Sequence, residues 1–123
     1  MRLFKTPSFQ RDFGKSELGV ADLRVAMDEI SRGLVDATLG GELVKKRVAR
    51  AGAGKSGGYR TIIAVRFGDR AVFLHLFAKS EKANTDRHEL AALKTLAKHY
   101  LTMTSEALNT AVAKGALLEI DDV

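Results

Sequence analysis

Basic side chains are concentrated in one part of this 123-residue sequence. Between Leu43 and Gly68 there are seven cations and no acidic residue. They are Lys45, Lys46, Arg47, Arg50, Lys55, Arg60 and Arg66. The rest of the chain holds 13 cations and 15 acids, so this segment carries all of the positive excess in the net charge of +5. An exposed field of one sign attracts a polyanion such as nucleic acid, although it can also be a solvated face without a partner.

The predicted strands bring these cations together. Lys45 and Arg47 are two residues apart, so they share one face of a strand, whereas Tyr59 and Arg60 point to opposite faces of the next strand. Three more polar residues follow the third strand, namely Lys79, Lys82 and Asn84. If these strands are neighbours, their cations converge and can grip an RNA backbone and stabilise charge on a reacting phosphate. The alternative is that Tyr59 packs and the cations only solvate the sheet.

Other kinds of site are poorly supported. Gly54-Lys55-Ser56 resembles the end of a phosphate-binding loop, but Ala49 stands where the first glycine belongs and a strand follows instead of a helix. His88 and His99 are eleven residues apart on one predicted helix, about 16 Å, which is too far to share a metal ion. His75 lies in an apolar strand, where a packed histidine is more common than a ligand or a base. We therefore predict no metal and no cofactor.

Length and composition indicate one ordinary globular domain over residues 1–123, with 46% hydrophobic and 28% charged residues. The sequence has no cysteine, which excludes disulfides and thiol catalysis and suits a cytoplasmic protein. It has no apolar run long enough to span a membrane, and its charged N-terminus is unlike a signal peptide.

Periodicity predicts an α+β fold in which helices come first, an antiparallel sheet of three to four strands follows, and helices end the chain. The predicted strands are Leu43–Val48, Tyr59–Arg66 and Ala71–Phe77, with short candidates at Arg2–Lys5 and at Leu118 to Ile120. The predicted helices are Ser8–Phe13, Ser16–Gly33, Thr85–Met103, and a shorter one that is capped by Thr104 or Ser105 and ends at Gly115. Leu23, Met27, Ile30 and Leu34 form the apolar stripe of the second helix.

The stretch from Gly54 to Asn84, GKSGGYRTIIAVRFGDRAVFLHLFAKSEKAN, resembles the RelE/ParE toxin superfamily, and within it the HigB-like branch of bacterial toxin–antitoxin systems. The shared features are a basic strand (KKRVAR), a glycine loop, SGGYR at the start of a strand, and AKSEKAN after the next strand. The resemblance implies a RelE-like fold, with an antiparallel sheet packed on helices.

The resemblance also implies an mRNA interferase that cuts messenger RNA at the ribosome without a metal and so inhibits translation. In that family the RNA 2′-hydroxyl attacks the adjacent phosphate, and basic side chains position the RNA, take up the proton and stabilise the charge. Carried over to this chain, the catalytic candidates are Arg60, Lys79, Lys82 and Arg47. The RNA-binding candidates are Lys45, Lys46, Arg50, Lys55, Tyr59, Arg66 and Asn84.

Two departures concern the proton transfer. Ser80 stands where RelE has a catalytic arginine, and the C-terminal tyrosine of RelE has no counterpart, since Tyr100 lies far along a predicted helix. A lysine can act as the base only if neighbouring cations lower its pKa. The identity of the general base therefore stays open.

Two other functions remain possible from the sequence. One is a ParE-like toxin that inhibits DNA gyrase without cutting RNA, and the other is a non-toxic nucleic-acid-binding regulator. The resemblance further implies a cognate antitoxin, encoded by an adjacent gene and carrying a helix-turn-helix domain.

Overall fold

A computed structural model describes residues 1–49, 58–78 and 86–120. Within these ranges six strands form one sheet. The strands are β1 (Arg2–Lys5), β2 (Ala37–Gly40), β3 (Leu43–Val48), β4 (Tyr59–Arg66), β5 (Arg70–Ala78) and β6 (Leu118–Ile120). The three strands with the strongest β-branched or apolar character were predicted within a residue of their observed ends, which reflects the preference of such side chains for a pleated surface.

Four helices flank these strands: α1 (Pro7–Gly14), α2 (Val20–Ser31), α3 (Arg87–Leu101) and α4 (Ser105–Ala113). Three of them begin with a side-chain cap that accepts a hydrogen bond from a backbone N–H of the first turn. The capping residues are Thr6, Asp86 and Thr104. None of the four described helices is long and apolar enough to cross a bilayer.

The strand order is β2-β3-β4-β5-β1-β6, and every pairing is antiparallel except that of β1 with β5. The α+β class is confirmed, but the sheet has six strands where the sequence predicted three to four. Of the two terminal strands, β1 pairs with β5 and β6 pairs with β1, and β2 was not predicted. β2 is only four residues long and reads Ala-Thr-Leu-Gly, so it has too little alternation to reveal a strand.

The sheet separates two hydrophobic cores. One face packs on α1 and α2 through residues such as Phe9, Ile30 and Phe73. The other face packs on α3 and α4 through residues such as Leu93 and Leu108. Helices therefore cover both faces of the central strands, which explains why β5 reads as an almost continuous apolar run.

The second helix begins four residues later than predicted. Gly19 is its N-cap, and the Asp22 carboxylate accepts a hydrogen bond from the Gly19 backbone N–H at 2.8 Å. The helix also ends at Ser31, so Leu34 falls outside it and is half exposed instead of completing the apolar stripe. The third helix begins after Asp86, and the alternative cap, Thr85, lies outside the described residues.

Candidate functional site

Arg60 stands in the middle of a row of side chains that crosses three strands. In the register of β4 it is directly opposite Arg47 of β3 and directly opposite Phe77 of β5. Alternation along β4 places Arg60 on the same face as Ile62 and Ala64, which belong to the core under α3 and α4. The register therefore places Arg47 and Arg60 opposite each other on neighbouring strands.

The Arg60 side chain is half buried, and its Nε atom is enclosed without a hydrogen-bond partner. In the ranges that the structure describes, no carboxylate forms an ion pair with it. A buried N–H without an acceptor costs free energy, and an arginine offers five donors in a planar fork that fits a phosphate. The local chemistry thus favours an anion at Arg60.

Arg47 differs from Arg60 because it has a carboxylate partner. Its Nε atom lies 3.1 Å from Oδ1 of Asp36, and its backbone N–H donates to Oδ2 of the same carboxylate. Asp36 sits just before β2, so it reaches the part of β3 that β2 leaves uncovered. The guanidinium of Arg47 therefore points toward Asp36 at the edge of the sheet, and this carboxylate balances its charge.

A second row of side chains runs parallel to the first. It consists of Lys45 on β3, Ile62 on β4 and His75 on β5, which oppose one another in the register. The His75 ring lies 5.1 Å from the ring of Phe77, and its Nε2 atom is 3.8 Å from Oε2 of Glu89 on α3. Sequence reasoning treated His75 as a packed strand residue and missed this position beside the cations.

Lys46 is not on the proposed RNA-facing surface, which corrects the sequence prediction. Its side chain is only 5% exposed and points to the α2 face, where Nζ is 2.9 Å from Glu29 and donates to the Leu34 carbonyl at 2.8 Å. The reason is strand alternation, because the neighbours Lys45 and Arg47 take the opposite face. We assign Lys46 a structural role.

Tyr59 and Arg66 are also separated from Arg60. Tyr59 packs against the α1–α2 core, and its hydroxyl accepts a hydrogen bond from the Glu17 backbone N–H at 3.3 Å. Arg66 lies at the other end of β4, about 20 Å away at the usual rise of a strand.

Arg66 is already engaged at that end of the sheet. It contacts Glu42 at 2.9 Å and donates to the carbonyl of Leu101. The Arg66 guanidinium holds the pKa of the Glu42 carboxyl below its usual range. Arg66 therefore ties α3 to the sheet and is not brought to the site.

Five of the predicted site residues lie outside the described residues: Arg50, Lys55, Lys79, Lys82 and Asn84. Ser80 and most of the phosphate-loop-like segment lie there as well. The described chain reaches these two segments at Ala49 and Ala78 and resumes from the first of them at Gly58. All three residues are at the Arg60 end of the sheet.

Neither a tyrosine base nor a metal cluster is found near Arg60 among the described residues. Tyr100 lies in the last turn of α3 and is half buried, and burial raises the pKa of its phenol, so it is an unsuitable base near neutral pH. Over residues 1–49, 58–78 and 86–120, no three His, Asp or Glu side chains come close enough together to hold a metal ion.

Fold and site together define a small α+β protein with one mixed sheet, helices on both faces and an arginine at one end of the sheet without a carboxylate partner among the described residues. The chain matches the family model of the RelE toxin of the RelE/RelB toxin–antitoxin system over residues 1–120, and it therefore belongs to that family. No curated protein matches the chain significantly.

Proposed function

We propose that this RelE-family toxin is an mRNA interferase that cleaves messenger RNA on the ribosome and so inhibits translation in the cytoplasm. Family membership supports the toxin class. The observation that carries the enzymatic proposal is Arg60, a half-buried arginine with an enclosed Nε that has no acceptor among the described residues. A bound phosphate supplies the missing acceptor oxygens and charge.

The arrangement around Arg60 suits a phosphate in a single-stranded RNA. Arg60 is paired with Phe77 of β5 on one side. On its other side lies β3, the strand that carries Lys45 and Arg47. Each strand spacing is about 4.8 Å, so these cations span a width comparable to one or two nucleotides of backbone. Lys45 is therefore proposed as an RNA contact, together with the sequence candidates Arg50, Lys55 and Asn84. Arg47, Lys79 and Lys82 are proposed to assist Arg60 in the reaction.

The proposed reaction is attack by the 2′-hydroxyl on the adjacent phosphorus, followed by departure of the 5′-oxygen. Negative charge builds up on the non-bridging phosphate oxygens in the transition state. A guanidinium that is already fixed on the sheet stabilises that charge without reorganising, which is how preorganised donors lower a barrier. Side chains of the protein can thus supply the positive charge that the chemistry needs.

The test is cell-free translation followed by primer extension on the message. Wild-type protein is expected to produce discrete cuts, and Arg60→Ala is expected to reduce the cleavage rate at least about a hundredfold, as for the loss of one transition-state donor. Arg60→Lys keeps the charge but loses the planar fork, so we expect partial activity. The matched control is Arg32→Ala, which removes the exposed arginine that caps the C-terminus of α2 on the other side of the sheet.

The same preparations distinguish the other functions. Intact messages together with inhibition of gyrase supercoiling contradict the proposal and favour a ParE-like toxin. Intact messages with salt-sensitive RNA binding and no growth defect favour a regulator. Cleavage that is equal in wild type and Arg60→Ala contradicts the role of Arg60.

Membership of a toxin–antitoxin family implies a cognate antitoxin as partner. We propose that it is encoded by the neighbouring gene and carries a helix-turn-helix domain. Sequencing of the adjacent reading frame and co-purification of its product with this chain test that proposal.

A further inference from the structure

We propose that His75 is the general base that accepts the proton from the RNA 2′-hydroxyl. This inference rests on the proposed function, since it assigns a role in that reaction. It also addresses the step for which the sequence offered no suitable group. Three features support it: the backbone of β5, the position of His75 beside Arg60, and the carboxylate of Glu89.

A β-bulge in β5 determines which way His75 points. Ile62 of β4 pairs with His75, but the next residue, Ile63, pairs with Phe73, so β5 holds one extra residue at this point. Phe73 belongs to the α1–α2 core, and Leu74 belongs to the α3–α4 core. With strict alternation His75 would lie on the same face of the sheet as Phe73. The bulge instead places His75 on the opposite face, with Leu74 and Ile62. Bulges are frequent next to active sites because they re-aim a side chain in this way.

The bulge therefore brings an imidazole to the face that carries Arg60. Arg60 pairs with Phe77, two residues beyond His75 on the same strand, so Arg60 and His75 are diagonal neighbours. The backbone positions of diagonal neighbours are about 7–8 Å apart. At that separation an arginine and an imidazole can both contact the same nucleotide. The His75 side chain is 26% exposed while its Nε2 atom is enclosed beside Glu89, so Nδ1 is the nitrogen that we assign to accept the proton.

Glu89 is placed to hold and support the imidazole. It lies in the first turn of α3, where its backbone N–H donates to Asp86 at 2.8 Å and its Oε1 accepts from the Asp86 backbone N–H at 3.4 Å. Its other carboxylate oxygen, Oε2, is 3.8 Å from Nε2 of His75. A carboxylate at this distance stabilises the imidazolium that forms when the base takes up a proton. Glu89 is thus a positioning residue.

The step balances without any co-reactant other than water. The neutral imidazole takes the proton as the O2′–H bond breaks, and the O2′–P bond forms. The P–O5′ bond breaks, and the 5′-oxygen leaves with its electron pair and receives a proton from water. The products are a 2′,3′-cyclic phosphate and a 5′-hydroxyl, and the imidazolium returns its proton to the solvent. An RNA product that carries these two ends therefore indicates attack by the 2′-hydroxyl.

The test compares His75→Ala, His75→Gln and wild type in a cleavage assay on purified ribosome complexes, with and without added imidazole. We expect His75→Ala to reduce the rate at least about a hundredfold, as is typical for the loss of a general base. Added imidazole should restore part of the activity to His75→Ala, because the truncated side chain leaves space for it. His75→Gln keeps much of the volume and should be inactive without rescue.

The pH profile gives a second readout that a merely structural role would not move. The charged groups that face His75 in the described chain are Glu89 from α3, Arg60 from β4 and Lys45 from β3. Wild-type cleavage should fall as the pH is lowered, because a protonated imidazole cannot accept the proton, and imidazole-rescued His75→Ala should follow the titration of free imidazole instead. Glu89→Gln should lower the rate less than His75→Ala and gain nothing from imidazole.

The control variant is His99→Ala, which removes an exposed histidine near the end of α3 and should leave the rate unchanged. Suppose that wild type cleaves and Arg60→Ala does not. If His75→Ala then keeps its activity, or loses it and does not regain any with imidazole, the role of His75 is overturned and the proposed function stands. If wild type itself leaves RNA intact, both proposals fail.

Discussion

Arg47 and Arg60 are directly opposite each other on two antiparallel strands. Of these two arginines, only Arg47 has a carboxylate partner among the described residues. Like charges in opposed positions of a sheet destabilise it. Asp36 offsets the charge of Arg47, while Arg60 keeps a half-buried guanidinium whose Nε has no acceptor in the described ranges. The free protein therefore carries a local cost that a bound phosphate would relieve.

We predict that Arg60→Gln stabilises the free protein while it weakens RNA binding. Removing the charge relieves the repulsion with Arg47 and should raise the free energy of unfolding by about 0.2–1 kcal/mol. Urea denaturation measures this change. The loss of one phosphate contact should also lower the slope of log K against log salt by about 0.7 for single-stranded RNA. Unchanged slopes would show that Arg60 does not contact phosphate.

Lys46 and Glu29 form a nearly buried ion pair between β3 and α2. Lys46→Met alone should lower the free energy of unfolding by about 3 kcal/mol, since it removes the ammonium group that lies 2.9 Å from the poorly solvated Glu29 carboxylate. The double variant Lys46→Met with Glu29→Leu should recover most of that loss, because apolar side chains of similar size replace both charges. Chemical denaturation of the three proteins checks the prediction, and additive losses would contradict it.

Gly58 is predicted to tolerate no side chain. A Cβ atom at this position would lie 2.2 Å from the carbonyl oxygen of Val48, much closer than any real contact. Gly58 comes directly before the strand that carries Arg60, so Gly58→Ala must push β4 away from the end of β3. We expect a large loss of thermal stability together with loss of cleavage. Gly14→Ala is the control, since its nearest contact is the far end of a glutamine side chain at 3.9 Å.

The Arg2–Glu119 pair should make the stability of the protein depend on acid pH. The Arg2 side chain donates to Glu119 at 2.9 Å across β1 and β6, and this hydrogen bond lowers the pKa of the Glu119 carboxyl. A carboxyl with a lowered folded-state pKa stabilises the fold above its unfolded value, about 4.3, and loses this effect as the pH falls through the folded value.

Wild type should therefore be more stable than Glu119→Gln near neutral pH, and the difference should shrink as the pH falls below about 4.3 and vanish below the lowered pKa of Glu119. Urea midpoints measured across this range check it. Glu106→Gln, on α4, is the comparison variant, and a difference between wild type and Glu119→Gln that persists in acid would contradict the assignment.

The sequence by itself determined the α+β class, the three long strands and the cationic segment, and it gave two candidates for the cap of each of the last two helices. These features depend on local patterns, such as one helical turn or a few alternating residues. The sequence also determined that Lys45 and Arg47 share a face and that Tyr59 and Arg60 do not. Only the tertiary structure decided which partner each of these cations has. Lys46 is buried against Glu29, Arg66 is paired with Glu42, and Arg47 is drawn to Asp36.

The position of His75 was likewise beyond the sequence. Alternation in AVFLHLF predicts that His75 shares a face with Phe73, and a bulge reverses that expectation. A bulge arises from the competition between the registers of two paired strands and the packing on both faces of the sheet, which no single segment contains. Long-range pairing thus decided which charged groups meet, while local patterns decided which elements carry them.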